Sequence, residues 1–203
     1  METDRKWIIV RIDGKIAGVS HDYRTLARIT SYLTSDTYIY KDINITAVSF
    51  NEIWRLRQEA RWEDLLLFGS DFQKKVWRTL WKLTHPESGL KESGQETDRN
   101  EGSHPPRLIS YSDFAELCQN RAGVRAVAHA IGKNPISVII PCHLVIPKES
   151  IDKIVQIHKK AESTIFKGED LCRDSLLRDK SIDFGEYSLG RDLKRELIIR
   201  ELN

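Results

Sequence analysis

A cysteine followed directly by a histidine, Cys142-His143, is the pair best equipped for covalent chemistry in this 203-residue sequence. A thiol is a strong nucleophile only as thiolate, and it needs a positive or hydrogen-bonding environment to ionise near neutral pH. An adjacent imidazole can serve as the base. Neighbours in sequence are badly placed for direct contact, so the proton would pass through one water, and a carboxylate on the far side of the ring would fix its tautomer. A bare Cys-His dipeptide is equally compatible with a cysteine that simply packs in a core. Cys118 and Cys172 make the total odd, and none of the three stands in a CxxC. Neither a disulfide framework nor a zinc cluster is expected, and a reducing compartment fits.

The elements around the pair say more. The apolar run ISVII (136 to 140) leads into Pro141-Cys142-His143, so the cysteine emerges from buried backbone. Before it, ISYSDFAELCQNRAGVRAVAHAIGKNP (109 to 135) reads as two short helices, roughly 112 to 119 and 123 to 131, joined through Asn120 to Ala122. That is helix-turn-helix spacing, a unit that commonly reads DNA. SDFQKKVWRTLWKL (70 to 83) predicts a helix with Ser70 as N-cap and Phe72, Val76, Leu80 and Leu83 on one face. Nearer the N-terminus, WIIVRI (7 to 12) and KIAGVS (15 to 20) flank Asp13-Gly14, a dipeptide suited to a tight hairpin turn. HDYRTLARITSYL (21 to 33) places Leu26, Ile29 and Leu33 at helical spacing, and NITAVSF (44 to 50) reads as a strand. The end, GEYSLGRDLKRELIIRELN, predicts a Gly-containing turn and then a helix burying Leu193, Leu197 and Ile198, with Glu201 in its last turn.

These elements suggest an α/β (α+β) protein: a small N-terminal α/β domain over residues 1–69 and a helical domain over 70–203. Two polar stretches interrupt the second domain. Residues 84–106 contain Leu90 as their sole aliphatic or aromatic side chain, too little to bury for a fixed structure, so an unstructured insert is expected. Residues 148–184 are polar apart from an amphipathic patch, Ile151, Ile154, Val155 and His158, compatible with a short helix.

Hydrophobic residues make up 40% and charged residues 31% of the chain, a globular composition. No stretch is long and apolar enough to span a membrane, and METDRKW has acids where a secretory signal has basic residues and an apolar core. The chain is therefore expected to stay where it is made. The net charge of +2 hides an asymmetry. Residues 1 to 70 hold ten basic and ten acidic side chains, whereas 107 to 148 hold five basic (Arg107, Arg121, Arg125, Lys133, Lys148) against two acidic. That segment is the candidate surface for a polyanion.

FQKKVW, ISYSDFAELC, GVRAVAHAIGKNP and IIPCHLVIP occur here in the order seen in the O6-alkylguanine-DNA alkyltransferases, and the chain resembles that family from about Phe72 to Glu201. The resemblance implies a winged-helix-like helix-turn-helix and a single irreversible transfer of a methyl or alkyl group from O6 of a flipped guanine to Cys142. His143 would then be the base acting through water, Glu201 its orienting carboxylate, and Tyr111 the donor toward the guanine ring nitrogen. Arg125 would fill the space of the extruded nucleotide, with Ala126 and Lys133 on the same DNA-facing helix. Asn134 would be the hinge before the cysteine segment, and Val145, Tyr187 and Ser188 would line the guanine pocket.

The implied partner is double-stranded DNA containing O6-alkylguanine, bound by a monomer without cofactor, in a nucleus if the source is eukaryotic and otherwise in the cytoplasm. No metal is implied, since no cysteine precedes Cys118 to supply the zinc site some relatives carry. Two positions depart from the family: Leu144 stands where the family has arginine, and Leu189-Gly190 replaces a glycine pair. The insert between Ile146 and Gly185 falls in the loop that closes the pocket in relatives, so the range of alkyl groups could differ. A lesion sensor that flips the base without accepting the alkyl group is the nearest alternative, but such proteins lack the cysteine. A cysteine hydrolase would need a distant base and an oxyanion hole that nothing in the sequence signals.

Overall fold

The computed structural model describes residues 6–23, 27, 29–31, 42–85, 108–162 and 179–201. Residues 86–106 of the first polar stretch, Leu26, Leu33, Cys172 and the His158 side chain lie outside the described residues.

The hairpin forms as the sequence predicts. Strands β1 (Trp7–Ile12) and β2 (Lys15–Ser20) pair antiparallel around Asp13 and Gly14, whose φ angles of 48° and 78° suit a tight turn of two left-handed residues. Strand β3 (Ile43–Val48) pairs with the other edge of β1, giving the order β2-β1-β3. Helix α1 (Phe50–Glu59) follows, a helix the sequence reading missed. Ser49 caps it, its Oγ accepting from Glu52 N at 3.3 Å, and Ile53 and Arg57 are buried one turn apart.

Helix α2 (Asp71–Lys82) starts at the predicted Ser70, where Ser70 and Gln73 satisfy each other's backbone N–H groups in a capping box. Its buried face is rotated from the predicted one. Val76, Trp77, Leu80 and Trp81 are buried, Leu83 is half-buried and Phe72 is 37% exposed. The two indoles carry far more apolar area than Phe72 and Leu83 together with the helix end, so they decide which side faces the core. Trp77 Nε1 also donates to the Ala130 carbonyl at 2.8 Å, tying α2 to the helix-turn-helix.

That unit comprises α3 (Tyr111–Leu117), a single turn at Arg121–Gly123 and α4 (Val124–Gly132), each within a residue or two of expectation. Beyond α4, residues 136–140 are buried without being a strand. They coil tightly, with Ile140 N donating to Ile136 O and Val138 at φ 71°, an outlier for a β-branched residue that signals strain held by its surroundings. Strand β2 clamps this coil: Val19 N donates to Pro135 O at 2.9 Å and Ser137 N to Val19 O at 3.2 Å. Cys142–Leu144 then form one helical turn, and β5 (Val145–Ile146) runs parallel to β4 (Ile109–Ser110).

The described parts of the stretch 148–184, residues 148–162 and 179–184, are more structured than its polarity suggests. Lys148–Glu162 form helix α5, and Ile154, Ile182 and Phe184 join Ile146, Ile198 and Ile199 in a second apolar cluster. Widely spaced apolar residues sufficed because they gather in one cluster with Ile198 and Ile199 of the last helix, α6 (Arg191–Glu201). The main core draws on both sides of position 70, packing Trp7, Ile9, Ile16, Val19 and Ile53 with Val76, Trp77, Phe114, Val127 and Ile140. Helix and sheet are mixed, as expected for α+β. No helix among the described residues is long and apolar enough to cross a membrane.

Candidate active site

Cys142 is 3% exposed, yet it lines a cavity of about 610 Å³. Tyr111 from α3, Val124, Arg125, Ala128, Ile131 and Gly132 from α4, and Gly185 to Ser188 with Arg191 make up most of the remaining wall. The thiol thus looks directly at one face of the helix-turn-helix. Gly185 is required here. Its φ is +75°, and a Cβ at that position would stand 3.2 Å from Tyr111 Oη and 3.3 Å from Pro147 Cδ.

Asn134 holds the turn together. Its Nδ2 donates to Ile140 O at 2.9 Å and to Cys142 Sγ at 3.1 Å, while its Oδ1 accepts from Ile136 N at 3.0 Å. The thiol donates to Tyr187 Oη at 3.8 Å. Burial pushes the Cys142 thiol above its ordinary pKa, with Asn134, Tyr187 and Lys194 pulling the other way. The resting sulfur is therefore a protonated thiol that needs a base. Burial likewise pushes the Tyr187 and Tyr111 hydroxyls up, so both keep their protons at neutral pH.

His143 is fully buried, with Nε2 2.7 Å from Glu201 Oε1. Burial lowers its pKa despite Glu201, which makes the ring neutral at pH 7. A neutral imidazole beside a carboxylate donates its Nε2–H, which leaves Nδ1 as a lone-pair acceptor. Nδ1 is buried and has no hydrogen-bond partner among the described residues, the unspent acceptor that a general base requires. Burial raises Glu201, but bonds from His143 and Arg57 outweigh it and hold the carboxyl below its ordinary value.

Two of the groups around the site were missed in the sequence. Lys194 is 1% exposed and saturates its three ammonium hydrogens on Val145 O (2.7 Å), Glu186 O (3.4 Å) and Tyr111 Oη (3.4 Å). Burial lowers its pKa to about 8, which leaves it charged at neutral pH beside the Tyr111 hydroxyl. Its signal was legible: Lys194, Leu197, Ile198 and Glu201 form an i, i+3, i+4, i+7 stripe on α6. Arg57, 6% exposed and bonded to Glu201 Oε1, comes from the unforeseen α1.

The remaining expected residues divide. Tyr111, Arg125, Tyr187 and Ser188 share the cavity with Cys142, and Arg125 is exposed at its rim. Asn134, His143 and Glu201 stand behind Cys142. Ala126 on α4 and Lys133 at its C-cap are exposed and lie outside the cavity wall, which Ala128 joins instead. Val145 is fully buried, and its carbonyl accepts from Lys194 rather than lining the cavity.

A family model for the DNA-binding domain of 6-O-methylguanine DNA methyltransferase matches residues 104–162, which hold the helix-turn-helix and Cys142. That segment is similar to this domain family, and it holds three of the four motifs. Among similar proteins, a probable methylated-DNA–protein-cysteine methyltransferase of Acanthamoeba polyphaga mimivirus is 36% identical over 87 residues, 43% of this chain and 45% of the relative. The methylated-DNA–protein-cysteine methyltransferase of Kluyveromyces lactis is 36% identical over 114 residues, 56% of this chain and 44% of the relative. The chain thus spans somewhat under half the length of these curated relatives. The O6-methylguanine-DNA methyltransferase structure from Pyrococcus kodakaraensis superposes with a TM-score of 0.50 at 20% identity, covering 98% of this chain and 93% of the other. The fold is shared over nearly the whole chain.

Proposed function

We propose that this protein repairs DNA by moving an alkyl group from O6 of guanine to Cys142, once per molecule. The observation that carries this reading is a buried cysteine opening into a cavity walled by a helix-turn-helix, backed by a neutral buried histidine. A base turned out of double-stranded DNA would enter between α4 and the 185–188 segment. In the transfer, the thiol proton passes through a water to His143 Nδ1, and the sulfur attacks the alkyl carbon. The S–C bond forms as the C–O6 bond breaks, and the guanine leaves with the electron pair. Tyr111 protonates a ring nitrogen of that leaving base, helped by the Lys194 ammonium, which stabilises the phenolate left behind. The step balances without cofactor or metal because the acceptor is part of the chain, and because the thioether does not revert, the protein is spent.

In this reading α4 lies against the DNA, with Arg125 filling the gap left by the flipped nucleotide and Ala126 and Lys133 facing the backbone. Asn134 sets the turn, Tyr187 and Ser188 shape the base pocket, and Val145 supports it from behind through its bond from Lys194. Residues 1–69 form the supporting α/β part and 70–203 the DNA-binding and transfer part, with polar inserts at about 84–106 and 148–184. The protein works as a monomer, in the nucleus of a eukaryote or otherwise in the cytoplasm. Mass spectrometry after incubation with duplex DNA carrying O6-methylguanine tests the proposal. One methyl group is expected on a peptide containing Cys142, with no second turnover and none in Cys142→Ala. Lesion loss with an unmodified Cys142, or repeated turnover, overturns it.

A further inference from the structure

The base His143 depends on a carboxylate in an unfavourable place. Glu201 sits at the C-terminal end of α6, where the helix dipole disfavours negative charge. It is also largely buried, and an unpaired buried carboxylate would take up a proton or turn outward. Arg57 meets it there, and its Nη1 binds the same Oε1 that receives His143 Nε2. Arg57 is itself fixed by its own helix and by the end of α2. Its guanidinium lies 4.8 Å from the Trp54 ring centre, and its carbonyl accepts from His85 Nε2 at 2.8 Å. The His85 ring in turn stacks on Trp81 at 3.7 Å. The neighbouring Leu144 is buried and apolar, so the turn that carries His143 offers no cation of its own.

We propose that Arg57 is a positioning residue for the transfer. It pins the Glu201 carboxylate from the N-terminal half of the chain and so fixes His143 with Nδ1 as the acceptor facing the cysteine turn. The inference rests on the alkyl-transfer reading and adds to it a role for α1, which never touches the substrate cavity. The charges facing His143 are Glu201, Arg57 and Lys194, and those facing Glu201 are His143 and Arg57. Arg200 stacks over Phe50 and Trp54 and bonds Asn51, on the α1 side of the same region.

Removing Arg57 takes a positive charge from beside His143 and frees Glu201 to protonate, so both groups should hold protons to higher pH. The test is an imidazole NMR titration of the full chain labelled at histidine nitrogens, comparing the natural protein with Arg57→Lys, Arg57→Gln and Arg57→Met. Alongside it, transfer from a free guanine-based inhibitor is followed against pH. In Arg57→Gln the His143 midpoint should rise, its two nitrogen signals should lose the Nε2–H pattern, and transfer at pH 6 should slow by about tenfold. Arg57→Lys should restore most of both, and Arg57→Met, which keeps packing on Trp54, should behave like Arg57→Gln. A His143 titration and tautomer unchanged in the folded Gln or Met variant would overturn the proposal. So would a loss of transfer that is uniform across pH and unrelieved by lysine. Failure of the natural protein to accept any alkyl group would sink the transferase reading instead, while the imidazole titration would still decide the role of Arg57.

Discussion

Helix α4 and the turn that carries Cys142 face one cavity, but they are stabilised differently. Along α4, residues 125, 126, 129, 132 and 133 are exposed, and Val127, Ala130 and Ile131 anchor the other side. Its outward side chains make few bonds to the rest of the protein and are available to a partner. Every residue from Asn134 to Ile146 is buried, and the polar atoms of the turn are held by Asn134, Tyr187, Glu201 and, through Glu201, Arg57. A surface open to a partner can change cheaply, whereas a buried polar turn is coupled to everything that satisfies it.

Substitutions can break or sharpen that contrast. The largest stability loss is expected from Leu144→Ala, since Leu144 is 1% exposed and truncating a buried leucine costs roughly 2–5 kcal/mol. Thermal unfolding measures it; a loss under about 0.5 kcal/mol would mean the turn is less rigid than its burial implies. Leu144→Arg probes the same position for charge. If apolar packing braces the turn, the transfer profile should keep its place on the pH axis. A variant that reacts much faster at neutral pH, with its profile moved downward and folding unaffected, would show that a cation at 144 governs the thiol.

Asn134→Ala should cost about 1–3 kcal/mol, because it strands Ile136 N in the interior and takes from Ile140 O one of its two donors, the other being Cys142 N, and it should also slow transfer through the loosened sulfur. Unchanged stability and rate would remove Asn134 from the site. Acid should produce a smaller, graded loss. His143 is depressed in the folded chain from an ordinary 6.5, so the unfolded state binds the extra proton as pH falls below that value, and stability drops. Glu201, also depressed, adds a further loss through the carboxylate range below 4.5. The unfolding temperature should therefore fall between pH 7 and 5, and His143→Gln should flatten that part of the curve.

The smallest effect on stability, within about 0.5 kcal/mol, is expected for Arg125→Ala on the exposed face of α4. Its signature is selective: transfer from duplex DNA should slow far more than transfer from a free guanine-based inhibitor, which needs no extrusion. Equal losses on both substrates would make α4 part of the coupled pocket and erase the contrast.

The difference also explains what could be read in advance. Hairpin, capped helix, helix-turn-helix and last helix were legible because each depends on signals a few residues apart: Asp13-Gly14, Ser70 with Gln73, the apolar spacing of 193, 197 and 198. The order of Tyr111, Arg125, Asn134, Cys142, His143, Ser188 and Glu201 along the chain was enough to nominate a site. Helix α1 escaped because its polar residues and two aromatic rings gave no clear apolar stripe, and the rotation of α2 escaped because two tryptophans outweighed the expected face.

Local spacing by itself determined the hairpin and the helices with clear caps or stripes, and the order of the motifs nominated Cys142 and His143. Tertiary structure alone decided what surrounds them: that Val145 spends its carbonyl on Lys194, that a lysine on α6 stands beside Tyr111, and that Glu201 is pinned from 144 residues away. The reason is physical. Hydrogen bonds between neighbours follow from backbone geometry, but the cost of burying a charge is set by whichever distant groups close around it, and no window of sequence contains them.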